Sequence, residues 1–142
     1  MTQTLLAPAK RDRPALVLPI ALTASAYALV LLAGGGLELA GKMSMRAGVQ
    51  LLGSGLEVMG PTPYFLYALV LIVGAWGLLR AKNWGRRLMI VICAVGVVLL
   101  VPHISSAVID ERWVAMSVDG LQILLRVAVA SYLLREGEWF TA

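Results

Sequence analysis

Along this chain the hydrophobic residues do not alternate with polar ones; they run in four long blocks, separated by short clusters of charge, glycine and proline. A helix that crosses the hydrocarbon core of a bilayer needs roughly 20 apolar residues, each rising about 1.5 Å. Four stretches reach that length and predict membrane helices over residues 14–37, 63–80, 84–107 and 113–135. Pro14 suits a first helical turn, where the N–H it lacks would have no intrahelical partner, and Thr62 precedes Pro63 as an N-cap. Gly34, Gly35 and Gly36 are expected to weaken the far end of the first helix. Pro102 cannot donate to the Val98 carbonyl and predicts a kink in the third.

The segment 38–62, ELAGKMSMRAGVQLLGSGLEVMGPT, is too polar to span a bilayer and too apolar for a plain linker. Its Leu, Met and Val, interleaved with Glu38, Lys42, Arg46 and Glu57, predict one or two short helices lying at the membrane surface, interrupted at Gly53 and Gly55. At the other flank of the first block, KRDRPALVLPIALTASA has the basic start, apolar stretch and Ala24-x-Ala26 pattern of a signal peptide. Hydrophobicity continues past that pattern through YALVLLAG, so an uncleaved first membrane helix is expected.

Composition removes the soluble alternatives. Over 142 residues, 60% are hydrophobic and 14% charged, against about 25% charged in soluble domains. The net charge of +4 does not point to nucleic acid, because the basic residues gather beside the apolar blocks instead of covering a soluble face. They set orientation. Lys10, Arg11, Arg13, Arg80, Lys82, Arg86, Arg87 and Arg135 fall on one side, whereas Lys42, Arg46 and Arg112 fall on the other. Positive flanks resist translocation, so both termini are expected in the cytoplasm. Trp76, Trp84 and Trp139 then lie near the inner interface and Tyr64 and Trp113 near the outer one. The fold expected is all-α: a single integral membrane domain, a four-helix bundle in the inner (cell) membrane, with a long extracytoplasmic loop carrying short interfacial helices. Its partners would be the lipid bilayer and other membrane subunits, or further copies of itself.

Two segments resemble each other: AWGLLRAKNW from Ala75 and ASYLLREGEW from Ala130 share Ala, Leu-Leu-Arg and the final Trp. Either a duplicated two-helix hairpin or the common way of ending a helix at an interface accounts for this. The ending SYLLREGEWF, together with GAWGLLRAKNWGRRLMI, resembles small bacterial four-helix membrane proteins of unknown function. That resemblance implies a four-helix membrane bundle and brings no catalytic residues.

The chemistry within the apolar blocks is sparse. Asp119, Gln122 and Arg126 are spaced i, i+3 and i+7 and fall in one narrow sector of the fourth helix. If that helix starts near Ser117, Asp119 caps its first turn while Arg126 lies about 10 Å deeper. A central arginine cannot lose its proton, so Arg126 should face protein or water and meet an acceptor. The stripe reads either as the polar seam of the bundle or as a polar pathway. His103, Ser105 and Ser106 form an outward polar locus beyond Pro102, and Met43 and Met45, with His103, would be soft ligands for copper(I). A satisfied interfacial histidine and lipid-facing methionines explain the same residues without a metal. Arg80, Lys82, Arg86 and Arg87 make a compact basic hairpin suited to anionic lipid headgroups. The single cysteine, Cys93, allows no intrachain disulfide and reads as a small packing residue.

The chain has no G-x-S-x-G, H-E-x-x-H, C-x-x-C or P-loop motif. With no catalytic residues, resident metal or cofactor to assign, the leading expectation is a noncatalytic accessory or scaffold subunit of a membrane complex. The alternative is a small transporter, channel or ligand sensor whose polar pocket leads to Arg126. Orientation is directly testable: a reporter enzyme that matures only outside the cytoplasm, fused after Ala142, should be inactive. The same reporter inserted after Gly53 should be active.

Overall fold

A computed structural model describes residues 14–41 and 62–140. It contains helices α1 (Val17–Leu39), α2 (Thr62–Leu79), α3 (Asn83–Ile109) and α4 (Trp113–Arg135), with a closing 3-10 turn at Glu136–Trp139. All four helices are long and apolar enough to cross a membrane, and no strand occurs among the described residues. The molecule is a multi-pass helical membrane protein. The interfacial helices expected between α1 and α2, with Met43 and Met45, fall outside the described residues.

Each helix packs extensively on the next in sequence, α1 on α2, α2 on α3 and α3 on α4. The α1–α2 seam shows why. Val17, Ala21, Ala28, Leu31 and Gly35 are buried on α1, and Tyr64, Ala68, Leu71, Ala75 and Leu78 on α2. Both sets recur at steps of three, four or seven residues, so they form a stripe along one side of each helix. In lipid there is no hydrophobic drive between helices; small residues let the backbones approach closely enough for dispersion and shape to hold them. Gly35 serves this purpose: a Cβ there would stand 3.3 Å from the Phe65 ring. The glycine run therefore does not end α1, which continues through it to Leu39. Helical hydrogen bonds without competing water offset the glycine's flexibility. Likewise α3 runs through Pro102 to Ile109. Outward, Leu22, Leu29, Leu66, Leu69, Val98, Leu121 and Leu124 are 57–68% exposed, a surface suited to acyl chains.

Both short hairpins use one device. Ala81 follows α2 with φ 55°, and Glu111 follows α3 with φ 53°, each in the left-handed region. After α2, Lys82 N–H donates to the Gly77 carbonyl (3.0 Å) and Ala81 N–H to that of Leu78 (3.0 Å). After α3, Arg112 N–H donates to Ala107 (2.9 Å) and Glu111 N–H to Val108 (3.3 Å). These are Schellman closures, which satisfy the last helical carbonyls and reverse the chain in three residues. The α2–α3 hairpin is the tighter, because Gly77 and Gly85 meet backbone to backbone: a Cβ on Gly77 would lie 2.7 Å from the Gly85 Cα.

A side chain at either left-handed position is strained by about 1–2 kcal/mol, part of which glycine recovers. Ala81→Gly and Glu111→Gly should therefore each stabilise the protein by up to about 1 kcal/mol, whereas Gly85→Leu should unfold the hairpin. Denaturation in detergent micelles, followed by tryptophan fluorescence, checks both directions.

Candidate intramembrane site

Arg126 stands nine residues before the end of α4 and thirteen after its start, which places it near the middle of the span. On an insertion scale a charge there costs about 2.5–3.5 kcal/mol unless protein or water meets it. Three helices do so. Gly96 of α3 has no side chain, and the guanidinium occupies the space above it; any Cβ at Gly96 would collide with the Arg126 Nη1. From α2, Tyr67 accepts a hydrogen bond from the guanidinium. Tyr27 of α1 and Cys93 of α3 lie within its electrostatic reach. Tyr27 meets Tyr67 edge to face, with ring centroids 6.5 Å apart and planes at 85°. The Tyr27 hydroxyl is buried and has no hydrogen-bond partner.

These groups line a cavity of about 430 Å³ walled by all four helices. Ile20, Thr23, Ala24 and Tyr27 come from α1, and Val118, Gln122, Leu125, Arg126 and Val129 from α4. Its floor is Tyr67 and Leu71 of α2 with Met89, Ile92 and Cys93 of α3. Among the described residues the wall holds one cation, Arg126, and no carboxylate. Thr23 spends its hydroxyl on its own helix, donating to the Pro19 and Ile20 carbonyls at 2.8 and 3.0 Å. Size and character match a small-molecule pocket: mostly apolar, with a few convergent polar groups. Cys93, expected as a packing residue, is buried and also forms part of the wall.

The stripe of three polar residues divides. Gln122 and Arg126 face the cavity, whereas Asp119 is absent from its wall and only 1% exposed. Asp119 does not cap the helix. The first turn begins at Trp113, with Arg112 in the N-cap position, so Asp119 sits in the helix interior. Ser117, expected at the helix start, instead donates from its hydroxyl to the Trp113 carbonyl (2.9 Å).

Of the outward locus, Ser105 and Ser106 do not line this cavity. Ser105 and Ser106 are exposed near the far end of α3, Ser105 donating to the Val101 carbonyl of its own helix (3.0 Å). The His103 side chain lies outside the described residues. Of the basic hairpin, Arg80, Lys82 and Arg87 are exposed, and the Arg80 guanidinium stacks on Trp76 at 4.2 Å. Arg86 turns the other way. It donates to Asn83 Oδ1 (3.1 Å) and the Leu133 carbonyl (3.3 Å), passes over Gly137 and lies 5.9 Å from the Phe140 ring centre. It thereby ties the start of α3 to the end of α4.

Sequence reasoning did not select Tyr27, Tyr67 or Gly96. Tyr27 and Gly96 carried a signal, as a polar and a side-chain-free position near the middle of their apolar blocks, whereas Tyr67, five residues into α2, carried none. Comparison of the chain with protein-family models, with curated proteins and with solved structures gives no match.

The seat above Gly96 makes a quantitative prediction. Gly96→Val should displace the guanidinium and cost about 1–3 kcal/mol, and much of that cost should vanish in an Arg126→Leu background. A double-mutant cycle on unfolding free energies should show coupling of at least about 0.5 kcal/mol; simple additivity would contradict the seat.

Proposed function

We propose that the protein is a membrane-embedded binding protein, a small carrier or ligand sensor, whose cavity receives a ligand with a hydrogen-bond acceptor directed at Arg126. The observation that carries this reading is the cavity itself: about 430 Å³, walled by all four helices, with a mid-span guanidinium in its lining. A seam that only joined helices would be filled by side chains, because protein interiors are close-packed. Here the charged group is paired with empty volume, the combination expected of a site waiting for a ligand. In the proposed orientation the end bearing Arg80, Lys82, Arg87 and Arg135 faces the cytoplasm of a cell whose inner membrane holds the protein.

A second reading, an accessory subunit, draws support from α4. Only Asp119 and Leu133 are buried along this helix, and Leu121, Leu124 and Leu134 are exposed. An apolar helix face of that extent suits either lipid or a neighbouring subunit.

Gentle extraction into lipid nanodiscs, followed by mass spectrometry of the bound small molecules and proteins, separates the two. The binding reading expects a ligand at near-stoichiometric occupancy, lost at least tenfold in Arg126→Leu without loss of folding. The accessory reading expects unrelated membrane subunits, retained in Arg126→Leu and released by polar substitutions at Leu121 and Leu124.

A further inference from the structure

We infer that the ligand is a single-chain carboxylate amphiphile that enters sideways from the bilayer between α1 and α4; this rests on the binding reading above and specifies what binds. Charge selects the headgroup. The described wall carries one cation and no carboxylate, so a monoanion leaves the site neutral. A phosphate dianion would leave it negative, and an alcohol or ketone would leave the cation without a counter-charge. A guanidinium also presents its N–H groups as a planar fork that fits a carboxylate with two parallel hydrogen bonds. A further donor is in place. The Tyr27 hydroxyl, buried and without a partner, lines the same cavity, and a buried donor of that kind calls for an acceptor.

The rest of the wall selects the tail. Ile20, Leu71, Ile92, Leu125 and Val129 present hydrocarbon, and a volume near 430 Å³ lies low in the range of small-molecule pockets. It suits one chain and its head, not a two-chain lipid.

The route follows from packing. The two helices at the ends of the chain, α1 and α4, do not pack on each other as sequence neighbours do. Thr23 on α1 and Leu125 on α4 both line the cavity and are both exposed, Leu125 by 65%. By helical rise they lie about 9 and 15 Å from the basic end of the bundle, at hydrocarbon depth. At that end the α1–α4 seam is pinned by Leu16 N–H donating to the Tyr132 hydroxyl (3.3 Å). The flank thus opens onto acyl chains above a closed base.

The test uses the full chain in phosphatidylcholine nanodiscs and two photoreactive probes, a diazirine-bearing palmitic acid and the corresponding alcohol. Adducts are mapped by mass spectrometry. The acid should label segments 20–27 and 118–129, and unlabelled palmitate should compete at least about tenfold better than hexadecanol or hexadecyl phosphate. Arg126→Leu should weaken labelling by the acid about 10–100-fold, the range for a hydrogen-bonded charge, and leave the alcohol unchanged. Tyr27→Phe, which keeps the ring, should weaken the acid several-fold and spare the alcohol, so the proposal stays testable if Arg126→Leu misfolds. Equal labelling by acid and alcohol, or better competition by the phosphate, overturns the carboxylate assignment while the binding reading stands. If neither probe labels the cavity but another small molecule copurifies with the wild type, the amphiphile inference alone fails. If nothing labels the cavity and nothing copurifies, or if Ala24→Trp, which fills the cavity, leaves the acid's labelling unchanged, both fall.

Discussion

A guanidinium held in the middle of an apolar bundle is the constraint on which the rest of the arrangement turns. Arginine keeps its proton, and the hydrocarbon around it offers no acceptor, so the protein must supply both room and partners. Room comes from Gly96 on α3 and a hydrogen-bond acceptor from Tyr67 on α2, while the charge itself is on α4. These three helices cannot slide relative to one another without losing one of those contacts. Tyr27 brings α1 into the same neighbourhood through its edge-to-face contact with Tyr67. The cavity is what remains around the guanidinium once the helices are fixed in this way.

Close backbone approach makes the fixing effective. Gly77 against Gly85 joins α2 to α3 at the basic end, and the two Schellman closures reverse the chain within three residues. With neighbours so tightly coupled, the slack in the bundle collects where the chain's first and last membrane helices meet. There Leu16 N–H donates to the Tyr132 hydroxyl near one end, and the cavity lies above it. Arg86 reinforces the same end by clasping the Leu133 carbonyl and Phe140. The equivalent leucines of the two similar segments, Leu78 and Leu133, are both fully buried. A similar helix end thus packs in a similar way twice, whichever origin the two segments have.

Much of the architecture was legible in the residues because its cause is one-dimensional. A span must match the bilayer thickness and satisfy its backbone internally, so each long apolar block becomes a helix whatever its neighbours do. Where local rules misled, packing was the reason. Three glycines that weaken an isolated helix are kept in α1 because one of them admits the Phe65 ring, and Asp119 lost its capping role because α4 starts at Trp113.

The site was legible only in part. Sequence alone identified Arg126 as the residue in need of a partner, since its depth and permanent charge follow from its position in an apolar block. Which groups meet it could not be read, because they come from three other helices and depend on how those helices are rotated and how closely they approach. Tyr67, Tyr27, Cys93 and Gly96 come from three separate segments and become a site only when packing turns them to one point. The sequence by itself determined the helices, their lengths and the cost of one buried charge; the tertiary structure alone decided what surrounds that charge, and that it borders a cavity instead of a filled seam.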